Sequence, residues 1–139
     1  MSVTTSDKVH LQQRQLGEQA QRSLKAIQDW LSTEAPPVMF TPHAEDFHLC
    51  VDPQMYKTIK PLLEELDLVT NKGVSVVRIP GPKSAPFYSD KGPAYIIPIR
   101  VDEGTKPAVS NCPLIPGQST YITTGVYISP KIDLMFVIV

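Results

Sequence analysis

The chain has 139 residues, 42% of them apolar and 19% charged, with a formal net charge of −1. That is enough apolar material for a core, which argues against global disorder, and too little charge imbalance to call for nucleic acid or an anionic membrane surface. No apolar run reaches the roughly 18 residues of a membrane span, the polar start Met1–Lys8 does not read as a signal peptide, and the two cysteines, Cys50 and Cys112, are too few for a disulfide framework and read as small, reduced, buried residues.

Ser6 to about Glu34 reads as one long helix, with Ser6 as N-cap and Asp7 placing negative charge in the first turn. Leu16, Ala20, Leu24, Ile27 and Leu31 are spaced to form a narrow stripe on one face, and the other faces are rich in Gln and charge. Gly17 is a weak point in such a helix, at roughly 1 kcal/mol against Ala. The stripe fits either a helix lying on its own domain or an arm reaching a neighbouring subunit. Pro36-Pro37 ends the helix and makes a stiff joint. The expected division is therefore a helical arm over 1–37 and a compact α+β domain over 38–139.

Val38 to Val51 looks like loop and strand. On a strand His48, Cys50 and Asp52 would share one face and Phe47, Leu49 and Val51 the other, but zinc-type spacing is absent, so polar residues beside a strand are the expectation and no metal site is assigned. Asp52-Pro53 opens a second helix with Met55, Ile59, Leu62 and Leu66 as its buried stripe. Pro61 inside it should kink or divide it. Glu64 and Glu65 are adjacent on that helix and do not face each other, which makes them a solvated face rather than a paired acid and base.

From Thr70 the pattern becomes β. Asn71-Lys72-Gly73 marks a turn, and Val74–Ile79, Ala94–Val101, Thr120–Ile128 and the terminal Lys131–Val139 read as strands. Nine of the fourteen prolines lie from Pro80 onward. Short strands cut by prolines suggest a mainly antiparallel sandwich or barrel, with Pro86, Pro93, Pro98 and Pro130 at edges, strand starts or bulges. The last stretch carries no charge after Asp133 and is apolar on both faces, so it must be covered, in the middle of its own sheet or in a sheet shared with another subunit.

Ser84-Ala-Pro-Phe-Tyr-Ser-Asp-Lys-Gly-Pro-Ala-Tyr-Ile-Ile-Pro98 and Leu114-Ile-Pro-Gly-Gln-Ser-Thr-Tyr-Ile-Thr-Thr-Gly-Val-Tyr-Ile-Ser129 resemble the turn-and-strand passages of the dUTPase family. The resemblance covers roughly 74–129 and implies a β-clip-like strand layout, often trimeric. It does not carry the chemistry: where the family has a magnesium-holding Asp this chain has Ile96-Ile97, and where it has Arg-Ser-Gly this chain continues Lys131-Ile-Asp-Leu.

No Walker loop or nucleophile elbow is present. Cys50 with His43 or His48 lacks an orienting third group, and Tyr88, Tyr95, Tyr121 and Tyr127 have no interleaved basic residues of a nucleic-acid platform. The expected function is thus a non-enzymatic structural or assembly protein in a symmetric homo-oligomer with further protein subunits, of the kind found as capsid-decorating or neck components of virus particles. No catalytic residue, cofactor, nucleic acid or membrane is assigned. The expected interface residues are Leu16, Ala20, Leu24, Ile27 and Leu31 from the helix and Leu134, Phe136 and Ile138 from the last strand. The alternative is a nucleotide-binding or nucleotide-hydrolysing relative of the dUTPases.

Overall fold

A computed structural model describes residues 12–34, 36–44, 46–110 and 112–139. Its elements in chain order are β1 (Gln12–Gln15), α1 (Glu18–Leu31), β2 (Phe40–Ala44), β3 (Phe47–Cys50), α2 (Met55–Glu65), β4 (Gly73–Ile79), β5 (Ala85–Phe87), β6 (Ala94–Val101), β7 (Ala108–Val109), β8 (Cys112–Pro113), β9 (Gln118–Ile122), β10 (Val126–Ile128) and β11 (Ile132–Ile138). The chain is α+β and mainly antiparallel. It forms two open sheets rather than a closed barrel: β1-β9-β6-β11-β4-β3-β2 and β5-β10-β7-β8.

The terminal strand is the centre of the larger sheet. β11 pairs along its length with β4 on one side and β6 on the other, from Ile132↔Ile79 and Ile132↔Val101 to Ile138↔Gly73 and Ile138↔Ala94. Its uncharged run is thereby resolved in favour of burial within its own sheet. Successive side chains of a strand point to opposite faces, and here both faces are covered. Leu134 and Phe136 enter the core between the two sheets with Val77, Ile79, Ile96, Phe87 and Ile128. Met135 and Val137 enter the core beneath the helices with Val76, Ile97, Ile99, Ile27 and Leu62. The molecule is three layers deep, with helices, large sheet and small sheet stacked in that order.

Helix α1 is shorter than its periodicity predicts. The expected caps Ser6 and Asp7 lie outside the described residues, and Gln12–Gln15 is a strand, paired with β9 from Gln12↔Tyr121 to Gln15↔Gln118. The helix starts only after Gly17, whose backbone is extended and which supplies no side-chain cap. The reason is local: the stripe begins at Leu16, the positions three and four residues before it are Gln13 and Gln12, and glycine is a poor helix interior but a tolerable N-cap. α1 then lies on α2 and the large sheet, with Ala20, Leu24, Ile27 and Leu31 at most 4% exposed.

In α2 the expected stripe is present, with Ile59 and Leu62 fully buried, Met55 and Leu66 half-buried, and Leu63 added to it. The helix runs unbroken through Pro61, which sits on the exposed side, so neither division nor buried strain results. Asp52 caps the turn before the helix, its carboxylate accepting from the amides of Gln54 at 2.9 Å and Met39 at 3.1 Å. The predicted strand Thr120–Ile128 is two strands, β9 and β10, which belong to different sheets. Thr123-Thr124-Gly125 makes the corner between them.

Pro98 lies in β6 where the pairing with β11 slips. Asp133 faces Arg100 while Leu134 faces Pro98, which leaves Ile99 as the extra residue of a bulge. A bulge frees backbone polar groups that must be satisfied elsewhere. The Ile99 carbonyl accepts from Gln28 Nε2 of α1 at 2.8 Å, so a helix side chain completes the sheet.

Candidate functional site

A broad concavity, of ≈ 910 Å³, opens where the end of α1 (Leu31–Glu34) meets one end of the large sheet: Arg78–Pro80 at the end of β4, Arg100–Glu103 at the end of β6 and Lys131–Asp133 at the start of β11. Its floor is a row of charge across three neighbouring strands. Asp133 stands opposite Arg78 in one direction and Arg100 in the other. A carboxylate on the helix-facing side of a buried strand needs donors, and it has them. Arg78 Nε donates to Asp133 Oδ1 at 2.8 Å and Arg78 Nη2 to Oδ2 at 3.0 Å. Arg100 Nη1 lies 3.8 Å from Oδ2 and donates to the Leu31 carbonyl at 3.0 Å, a cation placed at the negative end of the α1 dipole.

The Arg78 guanidinium also sits 4.1 Å from the centroid of the Phe40 ring. Its hydrogen bond to Asp133 raises its pKa above the usual arginine value, against the opposing effect of burial. The rim carries Lys131 with Glu34, Asp102 and Glu103.

Chemically this row is closed on itself. Both oxygens of Asp133 accept from the Arg78 guanidinium, so neither is left without a donor. Of the two hydroxyls lining the cleft, Ser32 donates to the Gln28 carbonyl at 2.9 Å. The cleft offers mixed surface charge around a fixed ion pair, which suits polar contact with another surface.

The outer face of the small sheet is different. β10 pairs with β5 so that Val126 faces Phe87 and Tyr127 faces Pro86. Phe87, Val126 and Ile128 point into the core, which turns Pro86, Tyr88 and Tyr127 outward. Tyr88 is 73% exposed and Tyr127 68%. A second, smaller hollow of ≈ 390 Å³ lies beside β1, walled by Arg14, Asp67, Ser119, Tyr95 and Tyr121 among others.

The residues expected to form an interface lie elsewhere. Leu16, Ala20, Leu24, Ile27 and Leu31 are all in the core beneath the helices, Leu134 and Phe136 are in the core between the sheets, and Ile138 packs half-buried against it. They are brought together in two groups by the chain's own elements.

His48 and Cys50 alternate with Phe47 and Leu49 as expected of a strand. Among the described residues no group of three His, Cys, Asp or Glu side chains could hold a metal ion. Burial pushes the Cys50 thiol pKa up.

Sequence reasoning did not single out Arg78, Arg100 or Asp133 as a group. The signal available was Asp133 at the head of a strand that reads as apolar on both faces, since a buried charge requires a partner. No helix among the described residues is long and apolar enough to cross a membrane. Comparison of the chain with protein-family models, with curated proteins and with solved structures finds no match.

Proposed function

We propose that the protein is a non-enzymatic subunit of a symmetric assembly and meets other copies of itself through the outer face of its small sheet. The observation that carries this reading is the pair Tyr88 and Tyr127, 73% and 68% exposed beside the outward Pro86. Tyrosines such as Tyr127 on β10 and Tyr88 just past β5 provide large amphipathic contact area at low cost in side-chain entropy, and tyrosine is enriched at the centres of protein interfaces. The helix stripe and the terminal strand are spent on internal packing, so contact between copies falls to surface that is still open. A net charge of −1 sets up little repulsion between like subunits. The specific form we favour is a component of a virus particle, of the capsid-decorating or neck kind.

Sedimentation velocity across micromolar concentrations tests the reading. The expected result is a defined multimer that Tyr88→Ser combined with Tyr127→Ser shifts toward monomer without lowering thermal stability. A monomer throughout that range overturns it. Pyrophosphate release from dUTP and magnesium would overturn it as well, in favour of a dUTPase-like hydrolase.

A further inference from the structure

We infer that β1 is an exchangeable strand: in the assembly, Gln12–Gln15 of one copy fills the β9 edge of a second copy. The inference rests on the assembly reading and adds a contact distinct from the tyrosine face.

All four side chains of β1 are exposed. The strand holds its place through the backbone ladder to β9 and through Gln13, whose Nε2 donates to Thr120 Oγ1 at 3.2 Å and to the Pro113 carbonyl at 3.0 Å. Detaching it therefore uncovers no apolar side chain of β1 itself, only that of Leu16, which travels with it. Its link to α1 is only Leu16-Gly17, and Gly17 is an uncapped, extended N-cap with no atom within 4 Å of where a Cβ would stand. A single glycine in open space is a hinge that can redirect the strand without a steric cost.

The edge that β1 covers cannot be left bare. Ser119 is 8% exposed and Thr120 1%, and vacating the edge would strand backbone donors and acceptors beside them. What fits that edge is fixed by the existing contacts. The occupant needs a Gln opposite Thr120 to reach both Thr120 and Pro113. Three residues later it needs an apolar residue at the place of Leu16, which is 7% exposed and whose amide donates to the Gly117 carbonyl at 2.8 Å. Residues 13–16 of a second copy meet these demands by construction. Exchange remakes every bond it breaks, so proximity alone decides between the closed and exchanged forms. Each subunit gives one strand and accepts one, which permits both reciprocal pairs and head-to-tail rings.

The test uses the full chain. Unlabelled Gln13→Cys and ¹⁵N-labelled Thr120→Cys copies are unfolded together, refolded and oxidised. The expected product is a covalent heterodimer whose linked peptides carry residue 13 from one isotope and residue 120 from the other. All chains also carry Cys50→Ser and Cys112→Ser, so that only the introduced thiols can pair; single-variant chains that stay unlinked, while a chain carrying both introduced cysteines closes on itself, overturn the exchange. A second measurement needs no substitution: isotope-filtered NMR of a mixed multimer of the natural sequence, reading the contact between the Gln13 and Thr120 side chains. A contact between chains supports exchange, and one confined within a chain overturns it. A multimer with only internal contacts removes the exchange and leaves the assembly reading standing; a monomer removes both.

Discussion

Arg78 and Asp133 face each other across β4 and β11 and are joined by two hydrogen bonds of 2.8 and 3.0 Å, with Asp133 only 6% exposed. Removing one partner of a buried pair costs about 3–5 kcal/mol because it orphans the other. The Arg78 side chain keeps 35% of its surface in water, which places Asp133→Ala at the lower end, about 3 kcal/mol. Arg78→Met costs more, toward about 5 kcal/mol, since it orphans the more deeply buried carboxylate and leaves it only Arg100, 3.8 Å away. Replacing both, with Arg78→Met and Asp133→Leu, recovers most of the loss because no charge is left buried. Urea denaturation of the four proteins checks this, and a double variant weaker than Asp133→Ala alone would show that the pair itself stabilises the fold.

The two faces of the large sheet give two cores that share strands but not contacts. Ile27 lies wholly inside the core beneath the helices and Ile128 wholly inside the core between the sheets, both at 0% exposure. Truncating either to Ala removes about 2–5 kcal/mol, through lost burial and the cavity left behind. Residues in separate clusters act independently, so the double variant should equal the sum to about 0.5 kcal/mol. Leu134→Ala with Ile128→Ala, both in the inter-sheet core, should depart from additivity by more than that. Chemical denaturation of the set measures it.

The parts legible in the sequence are those where one pattern decides the outcome. β11 was readable because an uncharged run apolar on both faces has to be covered on both, and β6 because its eight residues from Ala94 to Val101 are bounded by turn chemistry. The stripe from Leu16 to Leu31 marked a buried helix face, although not whose surface would bury it. β1 was hidden: Gln12–Gln15 has no apolar alternation, and it is a strand only because β9, a hundred residues away, offers an edge. Arg78 and Asp133 are 55 residues apart in the chain, and no local pattern joins them. The outward turn of Tyr88 and Tyr127 depends on which face of the small sheet takes Phe87 and Ile128, a parity that pairing sets and composition does not.

Two glycines separate backbone strain from crowding. Gly104 has φ +89° and no atom within 4 Å of a built Cβ, whereas Gly117 has φ +98° and a Cβ there would come within 2.8 Å of Gln21 Oε1. Gly104→Ala therefore carries only the cost of a positive φ, about 1 kcal/mol. Gly117→Ala carries that cost and also displaces Gln21, whose Nε2 donates to the Gly117 carbonyl at 2.9 Å and the Leu16 carbonyl at 3.2 Å. Its expected total is about 2–3 kcal/mol, taking about 1 kcal/mol per lost hydrogen bond. Adding Gln21→Ala to Gly117→Ala should cost less than the two single changes summed, since the clash and the bonds involve the same side chain. Thermal melts of the four variants test the ordering.

Cys50 gives the pH dependence. Burial pushes its thiol pKa above the ordinary 9.0, and neighbouring Asp52 and Asp133 charges push the same way, while a hydrogen bond to the Asp52 backbone and the Arg78 charge oppose them. The folded chain thus binds the thiol proton more tightly than the unfolded chain does. With the folded pKa raised, the associated stability is fully present below pH 9 and is lost as pH climbs through the folded value. Two outcomes follow: the folded protein should alkylate at Cys50 with iodoacetamide more slowly at pH 8 than the urea-unfolded chain, because the thiolate is the reacting form, and Cys50→Ala should flatten the decline in stability above pH 9. Peptide mass spectrometry of the alkylated sites measures the first, and urea midpoints between pH 7 and pH 10.5 the second. Equal alkylation rates in the two states would show that Cys50 meets water as freely in the fold as out of it.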